Sequence, residues 1–173
     1  MMWKGMWRRA ARWALIAAGG LPGLVQAGAP AFPGAAEVTP HMVRYTVEDS
    51  FEFTRDLVIQ ALADRGLKVN NVSHIGDMLE RTGADIGATR KIYLHAEAIE
   101  FCSATVSRRM MEASPHNIVF CPYIIYVYEL PQKPGTIHVA FRRPAPVPDA
   151  ASAAPLAAVE SLVDGLIRDA LGL

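Results

Sequence analysis

The run Tyr123-Ile-Ile-Tyr-Val-Tyr128 constrains the fold more than any other part of this chain. An unbroken series of β-branched and aromatic side chains, stiff at their first torsion, favours a strand. Because the series is apolar at every position, it reads as a central strand covered on both faces. Ile118 to Cys121 leads into it across Pro122 and reads as more of the same strand. Upstream, Ser103 to Ala113 has helical spacing, with Val106, Met110 and Ala113 on one side and an Arg108/Glu112 pair four apart on the outer face. Ser114-Pro115 ends that helix, since proline lacks the amide proton and keeps its predecessor out of the helical region. Both cysteines of the chain, Cys102 and Cys121, lie at the ends of this unit.

Around this unit the periodicities alternate between strand and helix. His41 to Val47 alternates as a half-buried strand, and Asp49 or Ser50 caps a helix with an apolar stripe through Phe53, Leu57 and Leu62 that ends near Gly66. Leu67 to Val72 reads as a strand, His74 to Arg81 as a brief helix, and Lys91 to Phe101 as a strand running into Cys102. Glu97 and Glu100 fall on opposite faces of it and read as solvated edge charges rather than a paired-carboxylate site. Leu130 to Gly135 makes a hairpin turn, and Thr136 to Arg142 returns with Ile137, Val139 and Phe141 on one face and His138, Ala140 and Arg142 on the other. A Pro/Ala-rich bridge from Pro144 to Pro155 leads to a last amphipathic helix over 156–171. Strands and helices in this arrangement make one α+β domain, and there is no internal repeat.

The first 27 residues place Lys4, Arg8, Arg9 and Arg12 ahead of an apolar run and a Val25-Gln26-Ala27 ending, the layout of a signal peptide cleaved after Ala27. Residues 28–40, rich in Ala, Pro and Gly, read as a flexible leader, and 41–173 as the domain. The expected location is periplasmic or secreted, with no membrane association after cleavage. The full chain has seventeen basic and seventeen acidic side chains, so removing four basic ones leaves a net charge of minus four. A mildly acidic exported domain has no electrostatic footprint for nucleic acid.

No phosphate loop, serine elbow, paired CxxC or HExxH motif is present in the sequence, which weighs against the common enzyme classes. Chemistry therefore centres on the thiols. Cys102 at a helix start would have its pKa lowered by the backbone amides and dipole, as a reactive thiolate requires. The plainer reading of the pair is two inert thiols or a structural disulfide. A third reading gathers Cys102, Met110, His116 and Cys121 as soft ligands for copper or haem, although no cofactor is expected on balance. Helical and strand rises bring the returning chain level with Cys102 near residues 120 to 122. The Cα atoms of Cys102 and Cys121 are therefore predicted within about 7 Å, close enough to bridge. The other site suggested by pattern is an open sheet face carrying Tyr126, Tyr128, His138 and Arg142.

The segment Cys102-Ser-Ala-Thr-Val-Ser-Arg-Arg109-Met-Met-Glu112-Ala113-Ser-Pro115, followed by Pro122 and Val127-Tyr128-Glu129, resembles the domain-of-unknown-function family 302. The helix sequence SFEFTRDLVIQALADRGLKV resembles that family's opening. Ser103-Ala104 stands where the family has Asn-Pro, and Tyr123 stands where it has a cysteine after the proline, so only Cys102 carries over. The resemblance implies a small curved antiparallel sheet with helices packed on one face, similar to the TATA-binding-protein-like class and often dimeric, and it brings no activity. The function expected is a binding or accessory module for an unidentified ligand or protein, using the Cys102/Cys121 junction or the open sheet face. The alternative is a thiol-based redox or sulfur-handling protein with Cys102 as its thiolate.

Overall fold

The computed structural model describes residues 32–173. The signal-peptide reading of residues 1–27 and the first part of the leader lie outside the described residues. Six antiparallel strands form one open sheet: β1 (Glu37–Val38), β2 (Met42–Glu48), β3 (Val69–His74), β4 (His95–Phe101), β5 (Tyr123–Glu129) and β6 (Thr136–Arg142), in the order β1-β2-β6-β5-β4-β3. Among the described residues four α-helices accompany it, α1 (Phe51–Asp64), α2 (Ile75–Gly83), α3 (Ala104–Ala113) and α4 (Ala150–Leu171).

Local chemistry sets most of these boundaries. Ser50 caps α1 by accepting the Phe53 N–H, and Gly66 leaves the helix with φ +68°, the left-handed conformation that costs glycine least. Ser103 caps α3 by accepting the Val106 N–H. Asp149 caps α4, accepting the Ala151 N–H.

One face of the sheet is sealed by α1, α3 and α4. Val58 and Leu62 from α1, Met110 from α3, and Leu166 and Ile167 from α4 pack with Ile99, Ile125 and Val139 into one apolar core. Helix α4 is long and apolar enough to cross a membrane by composition. Its apolar residues Leu156, Val159, Val163, Leu166 and Ile167 are instead buried within this core. Its polar positions are tied down as well: the Tyr45 hydroxyl donates to Asp164, Arg143 forms a two-pronged pair with Glu160, and Arg65 pairs with Asp169. Burial and the Asp164 carboxylate together raise the Tyr45 pKa, so it remains a donor.

The structure differs from the sequence reading in several places; among them, the strand read from Lys91 begins at His95, and Phe53 of α1 is exposed. Ile118 to Cys121 is not strand: Pro115–Phe120 forms a 3₁₀ helix, held because buried Asn117 donates to the Met110 carbonyl (2.9 Å) and the Ser152 hydroxyl (2.8 Å). Strand β5 is not covered on both faces; Tyr123, Ile125 and Val127 are buried while Ile124, Tyr126 and Tyr128 are half-buried. The last helix starts at Ala150 rather than 156 and contains Pro155, because the Asp149 cap and the Asn117–Ser152 bond fix its first turn. The chain also joins the fold before His41: Phe32 packs edge-on to Phe141 and under the Arg143 guanidinium, and β1 pairs with β2.

The partly buried Arg143–Glu160 pair and the Tyr45–Asp164 bond should contribute unequally to stability. Arg143→Met leaves the buried Glu160 carboxylate without its partner and is expected to destabilise by about 3 kcal/mol, the low end for a buried pair. Tyr45→Phe removes one donor and is expected to cost about 1–3 kcal/mol. Urea unfolding checks both, as lowered midpoints at unchanged slope.

Candidate functional site

Two places carry the chemistry suggested by the sequence. The first is the junction at the end of the β4–β5 pair. Phe101 is in register with Tyr123, their rings meeting edge to face at 5.7 Å between centroids, so the residues just beyond them are held side by side. Cys102 leaves β4 there to enter α3, and Cys121 returns there from the 3₁₀ helix. Their sulfurs are 3.1 Å apart. This is about 1 Å longer than a disulfide bond, so both are free thiols in this structure and the disulfide reading is not met. The Ser107 hydroxyl lies 3.8 Å from the Cys121 sulfur and 3.0 Å from the Tyr123 hydroxyl.

The expected lowering of the Cys102 pKa is reversed. Burial, then the hydrogen bond to and the charge of the Cys121 sulfur, push the Cys102 thiol up to about 11, and only a hydrogen bond from Asn70 opposes them. Burial and the neighbouring sulfur both favour the neutral thiol, so Cys102 is not a preformed thiolate at neutral pH.

The soft-ligand set does not assemble. Met110 is fully buried in the core, whereas His116 is exposed on the 3₁₀ helix. Among the described residues no group of three or more His, Cys, Asp or Glu side chains is placed to hold a metal ion.

The second place is the open face of the sheet. Register puts Tyr126 opposite Ala98 and Ala140, Tyr128 opposite Ala96 and His138, and Arg142 opposite Met42, so the four residues named from sequence share one face. The small alanines flanking each tyrosine leave room above the sheet. Helix α2 lies against β4 at the margin of this face, where a Cβ on Gly76 would stand 3.0 Å from the Ala96 nitrogen. Between α2 and the sheet is a concavity of about 380 Å³, lined by Ile75, Tyr93, Tyr126, Tyr128 and Met42 and rimmed by His41 and Arg142. The Tyr128 ring packs against both Tyr93 and His138. Arg44 is held by Glu37 at 2.8 Å and meets His138 Nδ1 at 3.1 Å, whereas Arg142 is exposed and makes no ion pair among the described residues. Burial, and secondarily the Arg44 and Lys133 charges, lower the His138 pKa.

Two features escaped the sequence reading. Asn70 sits at the β-bulge between Val69 and Asn71, from where it opposes the rise in the Cys102 pKa; a bulge has no periodic signature. Glu97, expected to be solvated, is buried on the helix-covered face, 3.1 Å from His74 Nδ1 and 3.9 Å from the Arg55 guanidinium. Alternation gave its face correctly, but which face the helices would cover was not written in β4 itself.

An open six-stranded antiparallel sheet, helices sealing one face and an aromatic concavity on the other, defines an α+β domain. The chain belongs to the DUF302 family, whose family model, described as Domain of unknown function DUF302, matches residues 43–171. Its fold is similar to the crystal structure of an uncharacterized conserved DUF302 protein from Bacillus stearothermophilus, with a TM-score of 0.56 at 16% sequence identity, covering 75% of this chain and 95% of that one. No curated protein matches the chain.

Because His138 titrates lower when folded than its ordinary value of 6.5, the unfolded chain takes up the proton first. Its contribution to stability is then fully present above about pH 6.5 and is lost as pH falls through the lowered folded value. His138→Gln should flatten the loss of stability just below pH 6.5, measured as the urea midpoint against pH.

Proposed function

We propose that the protein is an exported binding module that takes a small, flat organic acid on the open face of its sheet. The observation that carries this reading is the concavity between α2 and the sheet, whose floor is alanine and whose walls are tyrosine. A volume of about 380 Å³ lies within the range of small-molecule sites, which are mostly apolar with a few placed polar groups. Tyrosine rings supply flat apolar contact and a hydroxyl at the far end; burial raises the Tyr128 pKa, keeping that hydroxyl a donor. Arg142 at the rim supplies a cation whose planar fork suits a carboxylate or sulfonate, and its charge is not neutralised by a neighbouring acid among the described residues. Export is supported by the basic, apolar and small-residue order of the first 27 residues.

The anilinonaphthalene sulfonate dye, flat and anionic, is the probe. Its fluorescence on titration should report saturable binding that Tyr126→Ala weakens about tenfold and Arg142→Ala weakens several-fold, the latter with loss of salt dependence. Equal binding by both variants would overturn the reading. Dimerisation that Tyr126→Ala abolishes would assign the face to a second copy of the chain instead.

A further inference from the structure

We infer that Cys102 and Cys121 are a dithiol that exchanges with external disulfides and closes to an intramolecular disulfide across the end of the β4–β5 pair. This site is independent of the open-face concavity. Three observations carry it. The sulfurs are 3.1 Å apart although the residues are 19 positions apart, and the Phe101–Tyr123 register holds both backbones at the same end of the sheet. A further approach of about 1 Å between the sulfurs reaches bonding distance. Both cysteines are partly exposed, so a disulfide can reach them. Exposed Ile118 and Val119, on the turn that leads into Cys121, offer an apolar surface beside the thiols.

The co-reactant is a disulfide, R–S–S–R. One cysteine thiolate attacks a sulfur of R–S–S–R; that S–S bond breaks, and RS⁻ leaves and takes up a proton as RSH. The second cysteine then attacks the protein sulfur of the mixed disulfide, releasing a second RSH and forming the Cys102–Cys121 bond. The protein loses two electrons and two thiol protons, and the external disulfide gains both. The raised pKa of Cys102 slows attack through that sulfur at neutral pH.

The test equilibrates the reduced protein with oxidised glutathione and follows intact mass and melting temperature. A loss of about 2 Da, protection of both cysteines from iodoacetamide and a rise in Tm of roughly 5–10 °C are expected. Cys102→Ser and Cys121→Ser should each retain one glutathione adduct and show no such rise. Stable glutathione adducts on the wild-type chain without the intramolecular bond would overturn the inference, as would two cysteines that remain open to alkylation after oxidation.

Discussion

The structure depends on burying one face of an antiparallel sheet and leaving the other open. In an antiparallel pair the side chains alternate strictly, so registering β2, β6, β5 and β4 fixes at once which residues meet the helices and which face outward. Val43, Tyr45, Val139, Phe141, Ile125 and Ile99 form the floor of the core, and α1, α3 and α4 cover it. A slip of one residue would exchange this set for Arg44, His138, Ala140 and Tyr126. That would place an arginine and a histidine under the helices, and the desolvation of those groups makes the observed register the stable one.

Polar groups under the helices are tolerated because each of the principal ones has a partner. Tyr45 meets Asp164, Arg143 meets Glu160, and Asn117 bridges α3 to the first turn of α4. These bonds are directional where apolar packing is not, and they fix how α4 lies on the sheet. The Asn117 bridge also determines the path between α3 and β5. The 3₁₀ helix that it stabilises returns Cys121 beside Cys102, so a core hydrogen bond and the thiol junction are parts of one local solution.

The two sites use different consequences of the same sheet. At the junction, burial works against ionisation, and proximity of the second sulfur works the same way; the thiols are placed for bond formation more than for fast nucleophilic attack. On the open face, alanines between tyrosines create depth without exposing backbone, and the acid–base partners are divided unequally. Arg44 is committed to Glu37 and contacts His138, while Arg142 is left at the rim. That inequality makes the rim a place for an anion.

The sequence by itself determined the elements whose signals are periodic or capped: β2, α1, α3, β5 and β6, the stops at Gly66 and Pro115, and the outward placement of Tyr126, Tyr128, His138 and Arg142. The two cysteines do meet, but not by the strand return counted along the sequence: residues 115–120 are a 3₁₀ helix, and it is the Phe101–Tyr123 register that sets Cys102 and Cys121 side by side. Only the tertiary structure decided the rest. Ile118 and Val119 have strand propensity but lie exposed on a 3₁₀ turn, since Asn117 is bound by groups remote in sequence. Glu97 is buried because the helices cover its face, Asn70 lies at a bulge, and the Cys102 pKa rises because of burial and the neighbouring Cys121 sulfur. Each of these depends on which distant atoms surround a residue, a quantity that local pattern does not contain.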